Sequence, residues 1–267
     1  MRVNQLSMGK KSVSTFVVAE NIPLNPTNYL IRLKSPHPLP VIKPGQFVNV
    51  DINNTSEIFL RRPFSVFEVD YAQNVLSIIV KILGRGSKKL TEAKSGDPIS
   101  LIYPLGKHFT YPEKGEKILA VGGGSGLAPM LFLARESGLP ARNVDIVIGA
   151  RSAADHVDTT AYTVFGNIHL TTEDGSLGTK GFVTDHPLLR ANLENYNRIY
   201  ACGPDGMMRA VAGKAKAAGV FCEVSLENLM ACGFGVCLCC IEPTVKGNLC
   251  VCTEGPVFNI NDLKWQI

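Results

Sequence analysis

Six of the chain's eight cysteines lie within 21 residues, between positions 232 and 252. Cys232, Cys237 and Cys240 are spaced C-x4-C-x2-C, and Cys252 follows twelve positions later, which matches the ligand spacing of a plant-type [2Fe–2S] cluster. Two glycines between the first two cysteines agree with this, because a loop that wraps an inorganic cluster requires close backbone approach. The sequence therefore predicts an iron–sulfur loop near its C-terminus.

The same cysteines leave alternatives open. A structural zinc site is one, although zinc usually binds paired C-x2–4-C knuckles that are separated by a longer spacer. Cys239 and Cys250 lie beside the proposed ligands, and either could replace a neighbour. Cys202 and Cys222 lie outside the cluster, and we expect them to be buried small residues.

Length and composition limit the possible classes of protein. A chain of 267 residues with 45 % hydrophobic residues is long enough for about two domains of roughly 100 to 150 residues each. Its net charge of +4 comes from scattered lysines and arginines, so no nucleic-acid partner is expected. The first 20 residues lack the apolar core of a secretory signal, and glycines and a proline interrupt the most apolar stretch, residues 118–134. We therefore expect no membrane span and a cytoplasmic protein, in whose reducing environment dense cysteines indicate metal or redox chemistry.

The hydrophobic pattern divides the chain into three segments. Six short β-rich runs separated by Pro and Gly predict an antiparallel β-barrel over residues 12–111. Strands that alternate with helix-length segments predict an α/β domain with a parallel sheet over residues 115–225. The remaining residues 226–267 are too few for a core of their own, and we expect the cysteines to staple them into a small module.

Two glycine-rich turns follow predicted strands of the α/β domain. The first turn, in "AVGGGSGLAPM", contains Gly122, Gly123, Gly124 and Gly126. The second turn, in "ACGPDGMM", contains Cys202, Gly203 and Pro204. Either turn alone could be a tight strand-to-helix connection, but two of them at strand ends in one sheet favour a crevice that binds a nucleotide. The stretch does not fit G-x-G-x-x-G strictly, so a standard dinucleotide fingerprint is not predicted.

The barrel segment contains two further phosphate-binding candidates. In "LRRPFSVFEV" an arginine could pair with a phosphate, Phe64 could pack on a planar ring and Ser65 could donate a hydrogen bond to it. The alternative is an edge strand with a basic flank. In "LGRGSKKL", Gly84, Gly86 and Ser87 precede a predicted helix start and could cradle a second phosphate.

Together, "RRPFS", "GGGSGLAP", "TEDGSLGTKG", "CGP", "SLENLMACGFGVCLCC" and "CTEGPVF" resemble the electron-transfer subunit of NAD-dependent (class IB) dihydroorotate dehydrogenase, within the ferredoxin reductase superfamily. The resemblance runs from about residue 15 to Phe258. It implies that the barrel binds FAD, the α/β domain binds NAD and the last segment holds a [2Fe–2S] cluster.

The resemblance also implies roles for individual residues. Arg62 would bind the FAD pyrophosphate and Phe64 and Ser65 would lie at the isoalloxazine, with Pro63 between them in the same FAD-binding motif. The second phosphate loop would contain Gly84, Gly86 and Ser87. Residues 122–129 and Cys202-Gly203-Pro204 would hold the nicotinamide nucleotide, with Glu173-Asp174-Gly175-Ser176 near its adenosine end. The cluster ligands would be Cys232, Cys237, Cys240 and Cys252, because in this family the fourth cysteine precedes an acidic-Gly-Pro stretch.

The three cofactors imply an order of electron transfer. NADH delivers two electrons as hydride, an iron–sulfur cluster takes one at a time, and a flavin can do both, so FAD must stand between them. We expect no catalytic acid or base in this chain, whose five histidines are scattered. By resemblance, substrate chemistry occurs on an FMN-containing subunit that interconverts dihydroorotate and orotate in pyrimidine biosynthesis, in a heterotetramer of two heterodimers. Residues 230–258 are expected to face that partner.

Other functions remain as alternatives. The small subunit of an NADH-dependent ferredoxin:NADP oxidoreductase or sulfide dehydrogenase is a close one, although an aspartate replaces the first cluster cysteine in those relatives and Cys232 is present here. A zinc-stapled nucleotide-binding regulator and a self-contained diaphorase are two others. NAD is expected by resemblance, whereas Arg151 after the second strand could favour the 2′-phosphate of NADP.

Overall fold

The N-terminal part of the chain is a closed antiparallel barrel. The computed structural model describes residues 11–52 and 58–267. The barrel strands are β1 (Ser12–Pro23), β2 (Asn28–Lys34), β3 (Phe47–Val50), β4 (Arg62–Asp70), β5 (Val75–Lys81) and β6 (Pro98–Leu105). They close in the order β1-β2-β5-β4-β3-β6. The predicted barrel is confirmed.

Branched side chains fill the barrel, because β-branched residues pack well on a pleated surface. Val48 and Val50 of β3 point into it together with Val66 and Ile78, and all four are fully buried. Helix α1 (Arg85–Thr91) follows β5, as the glycine-rich loop predicts. Phe47 belongs instead to a core that the barrel shares with the next sheet, so this side of β3 faces the rest of the molecule.

The second part of the chain is a mainly parallel sheet flanked by helices, as predicted. Its strands are β7 (Ile118–Gly123), β8 (Val144–Ala150), β9 (Asn167–Thr172), β10 (Thr179–Lys180), β11 (Arg198–Cys202) and β12 (Phe221–Ser225), in the order β10-β9-β8-β7-β11-β12. Strand β8, which follows β7 in the chain, pairs with one side of β7, and the later strand β11 pairs with the other side. This reversal makes the carboxyl ends of β7 and β11 the position where such sheets bind ligands.

Three helices accompany this sheet: α2 (Leu127–Glu136), α3 (Pro187–Arg190) and α4 (Asp205–Ala217). Helix α2 is apolar almost all round, which is typical of a helix buried on both sides. One core joins Leu131 and Leu133 of α2 to Leu30 and Phe67 of the barrel. Helix α2 therefore fixes the sheet against the barrel.

The C-terminal segment packs on both preceding parts. It contains the hairpin β13 (Ile241–Thr244) and β14 (Gly247–Cys250), the short helix α5 (Val251–Glu254) and strand β15 (Val257–Asn259). Strand β15 pairs antiparallel with β12 and so adds a seventh strand to the sheet. Cys240 and Cys252 lie in the core that also contains Phe47 of the barrel. The boundaries at residues 12–111, 115–225 and 226–267 stay predictions.

A buried carboxylate lies near the amino end of the sheet. Asp145 of β8 accepts hydrogen bonds from Tyr196 Oη at 2.7 Å and Asn167 Nδ2 at 3.1 Å, and it contacts Lys117 Nζ at 3.2 Å and His169 Nε2 at 3.3 Å. Burial raises the pKa of Asp145, but these four partners lower it by more, so the pKa lies well below the usual value for an aspartate.

Within the described ranges, no helix is long and apolar enough to span a bilayer.

Candidate nucleotide and iron–sulfur sites

A cleft of about 670 Å³ opens at the carboxyl ends of β7 and β8, where the barrel meets the sheet. Gly123, Gly124 and Pro204 line it from the sheet side, and Lys81 and Leu83 line it from the barrel side. Lys81 Nζ stands 3.5 Å from the position that a Cβ on Gly124 would occupy. A glycine-rich turn that faces a lysine across a cleft provides both backbone N–H groups and positive charge for a phosphate.

The two predicted glycine-rich turns touch each other. A Cβ on Gly126 would lie 2.1 Å from the carbonyl oxygen of Cys202, and a Cβ on Gly122 would lie 2.9 Å from Leu127 Cα. Gly203 has φ +147° and packs on Gly123, where a side chain would meet the carbonyl oxygen at 2.9 Å. Gly123 and Gly124 line the cleft, Gly126 and Gly203 allow the close approach of the two turns, and Gly122 lets the first turn fold back on Leu127.

Three charged side chains line the far end of the cleft: Arg151, Asp155 and Glu173. Asp174, which the sequence places near the adenosine, does not line it and closes its own turn instead. Its Oδ1 accepts hydrogen bonds from Ser176 Oγ at 2.6 Å and Ser176 N at 2.9 Å, and these bonds lower the pKa of Asp174. Glu173, its neighbour, lines the cleft together with Asp155.

The two predicted flavin-phosphate elements are neighbours. A Cβ on Gly86 would lie 3.2 Å from Arg62 Nε, so the first turn of α1 stands against this arginine. Arg62 Nη1 donates to the carbonyl oxygen of Leu60 at 2.7 Å. Ser87 Oγ accepts from the N–H of Gly84 at 3.1 Å and holds the start of α1. Pro63, Phe64 and Ser65, which follow Arg62, are each half-buried on β4.

The proposed cluster ligands form two pairs. The side chains of Cys232 and Cys237 are neighbours, as are those of Cys240 and Cys252, and the backbone N–H of Cys252 donates to Cys240 Sγ at 3.4 Å. Among residues 11–52 and 58–267, no set of three or more His, Cys, Asp or Glu side chains is arranged to hold a single metal ion. A [2Fe–2S] cluster takes two ligands on each iron, whereas a zinc site built from four cysteines needs all of them around one ion. Two neighbouring pairs agree with the two ligands that each iron of a [2Fe–2S] cluster takes.

The surroundings of these cysteines differ. Cys240 and Cys252 are buried, whereas Cys237 is exposed and Cys232 is half-buried. Burial raises the pKa of Cys232, but N–H groups of Phe234, Cys237 and Val236 offset this and lower the pKa to about 6, which favours the thiolate that binds metal. Cys239 is exposed and Cys250 is half-buried, while Cys202 and Cys222 are buried as predicted.

The structure adds functional candidates that sequence reasoning missed. Glu227 Oε1 lies 3.9 Å from Cys202 Sγ, directly after β12. Burial raises the pKa of Glu227, and nearby Lys81 opposes this shift. Asn49 of β3 contacts the loop of the first cluster cysteine. A single asparagine in the otherwise apolar run "FVNV" was the signal that could have identified it.

Comparisons with known proteins agree on one family. The iron–sulfur cluster binding domain of dihydroorotate dehydrogenase B matches residues 227–264, and an oxidoreductase NAD-binding domain matches residues 120–213. A protein of Fusobacterium nucleatum subsp. nucleatum, named dihydroorotate dehydrogenase B (NAD(+)), electron transfer subunit, is 35 % identical over 254 residues, which cover 92 % of this chain and 96 % of that protein. A protein of the same name from Caldanaerobacter subterraneus subsp. tengcongensis is 36 % identical, covering 84 % and 86 %.

A solved structure has the same architecture. The NADH-dependent reduced ferredoxin-NADP oxidoreductase, studied for flavin-based electron bifurcation, superimposes with a TM-score of 0.82 at 27 % identity. The match covers 97 % of this chain and 92 % of that one. A ferredoxin reductase of carbazole 1,9a-dioxygenase, at 24 % identity and a TM-score of 0.68, shares the fold over 80 % of this chain.

Proposed function

Because the chain belongs to the family of electron-transfer subunits of dihydroorotate dehydrogenase B, we propose that it passes electrons between an FMN-containing catalytic subunit and NAD+. Its cofactors are FAD, a [2Fe–2S] cluster and NAD. One observation carries the proposal. Phe47 is paired with Ser65 of the flavin motif and packs in the same core as Cys240 and Cys252, so the flavin strand and the cluster loop are held together.

The cleft residues account for binding of the nicotinamide nucleotide. Gly123 and Gly124 leave room for a pyrophosphate at the start of α2, and Lys81 supplies charge from the barrel side. Arg151 and Glu173 flank the end where the adenosine ribose would lie. A carboxylate suits the free 2′-hydroxyl of NAD and repels the 2′-phosphate of NADP, so Glu173 opposes the effect of Arg151.

Arg62 and the start of α1 would bind the FAD phosphates. The guanidinium provides a planar set of donors, and Gly86 lets the helix turn approach it closely. When bound, FAD supplies the conversion of a two-electron hydride into single electrons, which neither of the other cofactors performs. The chain's own contribution is to hold the nicotinamide cleft and the cluster loop on the two sides of β4, which carries the flavin motif: Lys81 of the cleft lies on β5, and β3 contacts the cluster loop.

Cys232, Cys237, Cys240 and Cys252 would hold the cluster as two pairs. The buried pair anchors it in the shared core, and the half-buried and exposed pair leaves one side near the surface. Iron–sulfur ligation requires thiolates and therefore a reducing compartment, which supports the proposed cytoplasmic location.

The surface around the cluster loop fits a protein partner. Large apolar side chains are exposed there, including Phe234 at 43 %, Val236 at 73 % and Leu238 at 58 %. Large apolar side chains that are exposed close together on a surface mark sites of protein–protein interaction. We propose that this rim, within residues 230–258, docks the catalytic subunit, in a heterotetramer of two heterodimers.

Docking can be tested with matched substitutions. Val236→Glu should weaken copurification with the catalytic subunit, because it places a charge in the apolar rim. Val164→Glu, at a similarly exposed position of 70 % away from the cluster loop, should leave it unchanged. Equal retention of the partner by both variants would refute the proposed docking surface.

The first experiment is an absorption spectrum of anaerobically purified protein before and after NADH or NADPH, with iron, sulfide and zinc analysis. Flavin and cluster bands that bleach with NADH, at about two irons per chain, are expected. Cys252→Ser should lose iron, whereas Cys239→Ser should keep it. Zinc without iron would refute the proposal, and bleaching by NADPH alone would favour the ferredoxin-NADP oxidoreductase type.

A further inference from the structure

Asn49 stands between the flavin motif and the cluster loop. It lies on β3, paired with Pro63 of the flavin motif on one side and with Ile102 of β6 on the other. Its residue surface is 1 % exposed, and its side chain points to the same side of the sheet as Phe47, away from the barrel interior. A polar residue at this place is costly unless it makes a specific contact.

That contact is with the residue proposed as the first cluster ligand. Asn49 Nδ2 donates a hydrogen bond to the carbonyl oxygen of Cys232 at 3.0 Å. The next residue, Gly233, has φ +78°, and a Cβ there would lie 2.7 Å from Asn49 Nδ2. The loop backbone thus rests directly on the carboxamide, and glycine is required for this approach.

The other end of the carboxamide has no partner. Asn49 Oδ1 is buried, and no donor reaches it among the described residues. An unsatisfied buried acceptor carries a free-energy cost in the folded state. The cost is understandable if the donor end serves the function of the site.

We propose that Asn49 is a positioning residue for electron transfer between flavin and cluster. This inference rests on the proposed function and adds a residue to it. The hydrogen bond fixes the Cys232–Gly233 peptide against the flavin strand, so the separation of the two cofactors is set by a β-strand rather than by a loop. The dipole of the Asn49 N–H group also makes the electrostatic potential beside the cluster less negative, which favours the reduced form of the cluster. The role is one of position only, and no covalent bond is made or broken at this contact.

The test compares donor-less and donor-keeping variants. Asn49→Leu removes the donor at similar volume, and Asn49→Asp does so in an isosteric side chain. Asn49→His keeps an N–H at the same number of bonds from the backbone. The matched control is Asn21→Leu, because Asn21 lies on β1, donates to the carbonyl oxygens of Thr91 at 2.9 Å and Ala93 at 2.8 Å, and also has a buried Oδ1 without a partner.

The readouts are the cluster midpoint potential and EPR spectrum, and the rate of cluster bleaching after rapid mixing with NADH. In Asn49→Leu we expect a lower potential and bleaching slower by about 10- to 100-fold, with FAD content and flavin reduction by NADH unchanged. Asn49→His should restore both, and Asn21→Leu should change neither.

Parent-like potential and bleaching in Asn49→Leu, or the same changes in Asn21→Leu, would overturn the inference. If Asn49→Leu does not fold, Asn49→Val, which is also neutral and lacks a donor, decides by the same readouts, because the charge of Asn49→Asp would lower the potential by itself. Iron and flavin analysis of the parent protein distinguishes failure of the proposed function from failure of this inference. A parent protein without iron refutes the proposed function itself. A parent that contains iron and flavin, together with an unchanged potential and bleaching rate in Asn49→Leu, refutes only this inference.

Discussion

Contact between the two glycine-rich turns can be broken by a single methyl group. In Gly126→Ala the new Cβ would lie 2.1 Å from the oxygen and 2.4 Å from the carbon of the Cys202 carbonyl, whereas ordinary contact begins at 3.4 Å. Backbone atoms on both sides must therefore separate by about 1 Å or more, and a displacement of that size can cost about 10²-fold in activity. We expect flavin reduction by NADH to slow by about this factor.

The same substitution should cost stability, by about 1–3 kcal/mol as in other overpacked sites. Gly213→Ala is the matched control, because Gly213 lies inside α4 and its new Cβ would meet only Ile267 Cβ, at 3.9 Å. It should stabilise the protein by about 0.4–1 kcal/mol and leave NADH kinetics unchanged. Rapid-mixing absorbance, NADH titration and thermal unfolding measure these effects. Parent-like NADH affinity and flavin reduction in Gly126→Ala would refute the reasoning.

Three further substitutions test other parts of the structure. Arg62→Ala should weaken FAD binding by roughly tenfold or more, since it removes charged hydrogen bonds worth about 1.5–3 kcal/mol, while iron content is retained; unchanged FAD retention on dilution would contradict this. Lys81→Met should raise the Kd for NADH but not for FAD, as measured by titration, and an equal loss of both would argue against its place in the cleft. Tyr196→Phe should lower the free energy of unfolding at neutral pH by about 1.5–3 kcal/mol, because it removes a hydrogen bond to the Asp145 carboxylate. The folded-state pKa of Asp145 is depressed, so the carboxylate stabilises the fold above the unfolded pKa of about 3.9, and this stabilisation is lost as the pH falls below that value. Denaturant unfolding should therefore show a smaller loss of unfolding free energy at acid pH in Tyr196→Phe than in the parent.

Local patterns in the sequence were enough to predict the three-part architecture. The six barrel strands and the turn from β7 into α2 are encoded by alternation of hydrophobic residues and by glycine, which act over a few residues. Cysteine spacing likewise predicted the cluster ligands, because a loop that wraps a small cluster constrains residues close in sequence. These features depend on neighbours along the chain and can be recognised without the fold.

Tertiary structure decided which residues from distant segments meet. Asn49 and Cys232 are 183 positions apart, and Cys202 and Glu227 come from the ends of two different strands, so no spacing rule relates them. The resemblance placed Glu173 and Asp174 together near the adenosine, and only the structure separates them: Glu173 lines the cleft, and Asp174 closes its own turn. Local chemistry by itself determined the secondary-structure elements and predicted the iron–sulfur loop, whereas FAD and NAD followed from the family resemblance. The mutual placement of the elements arose only when the barrel and the sheet buried a common apolar core, because burial acts between surfaces regardless of their order along the chain.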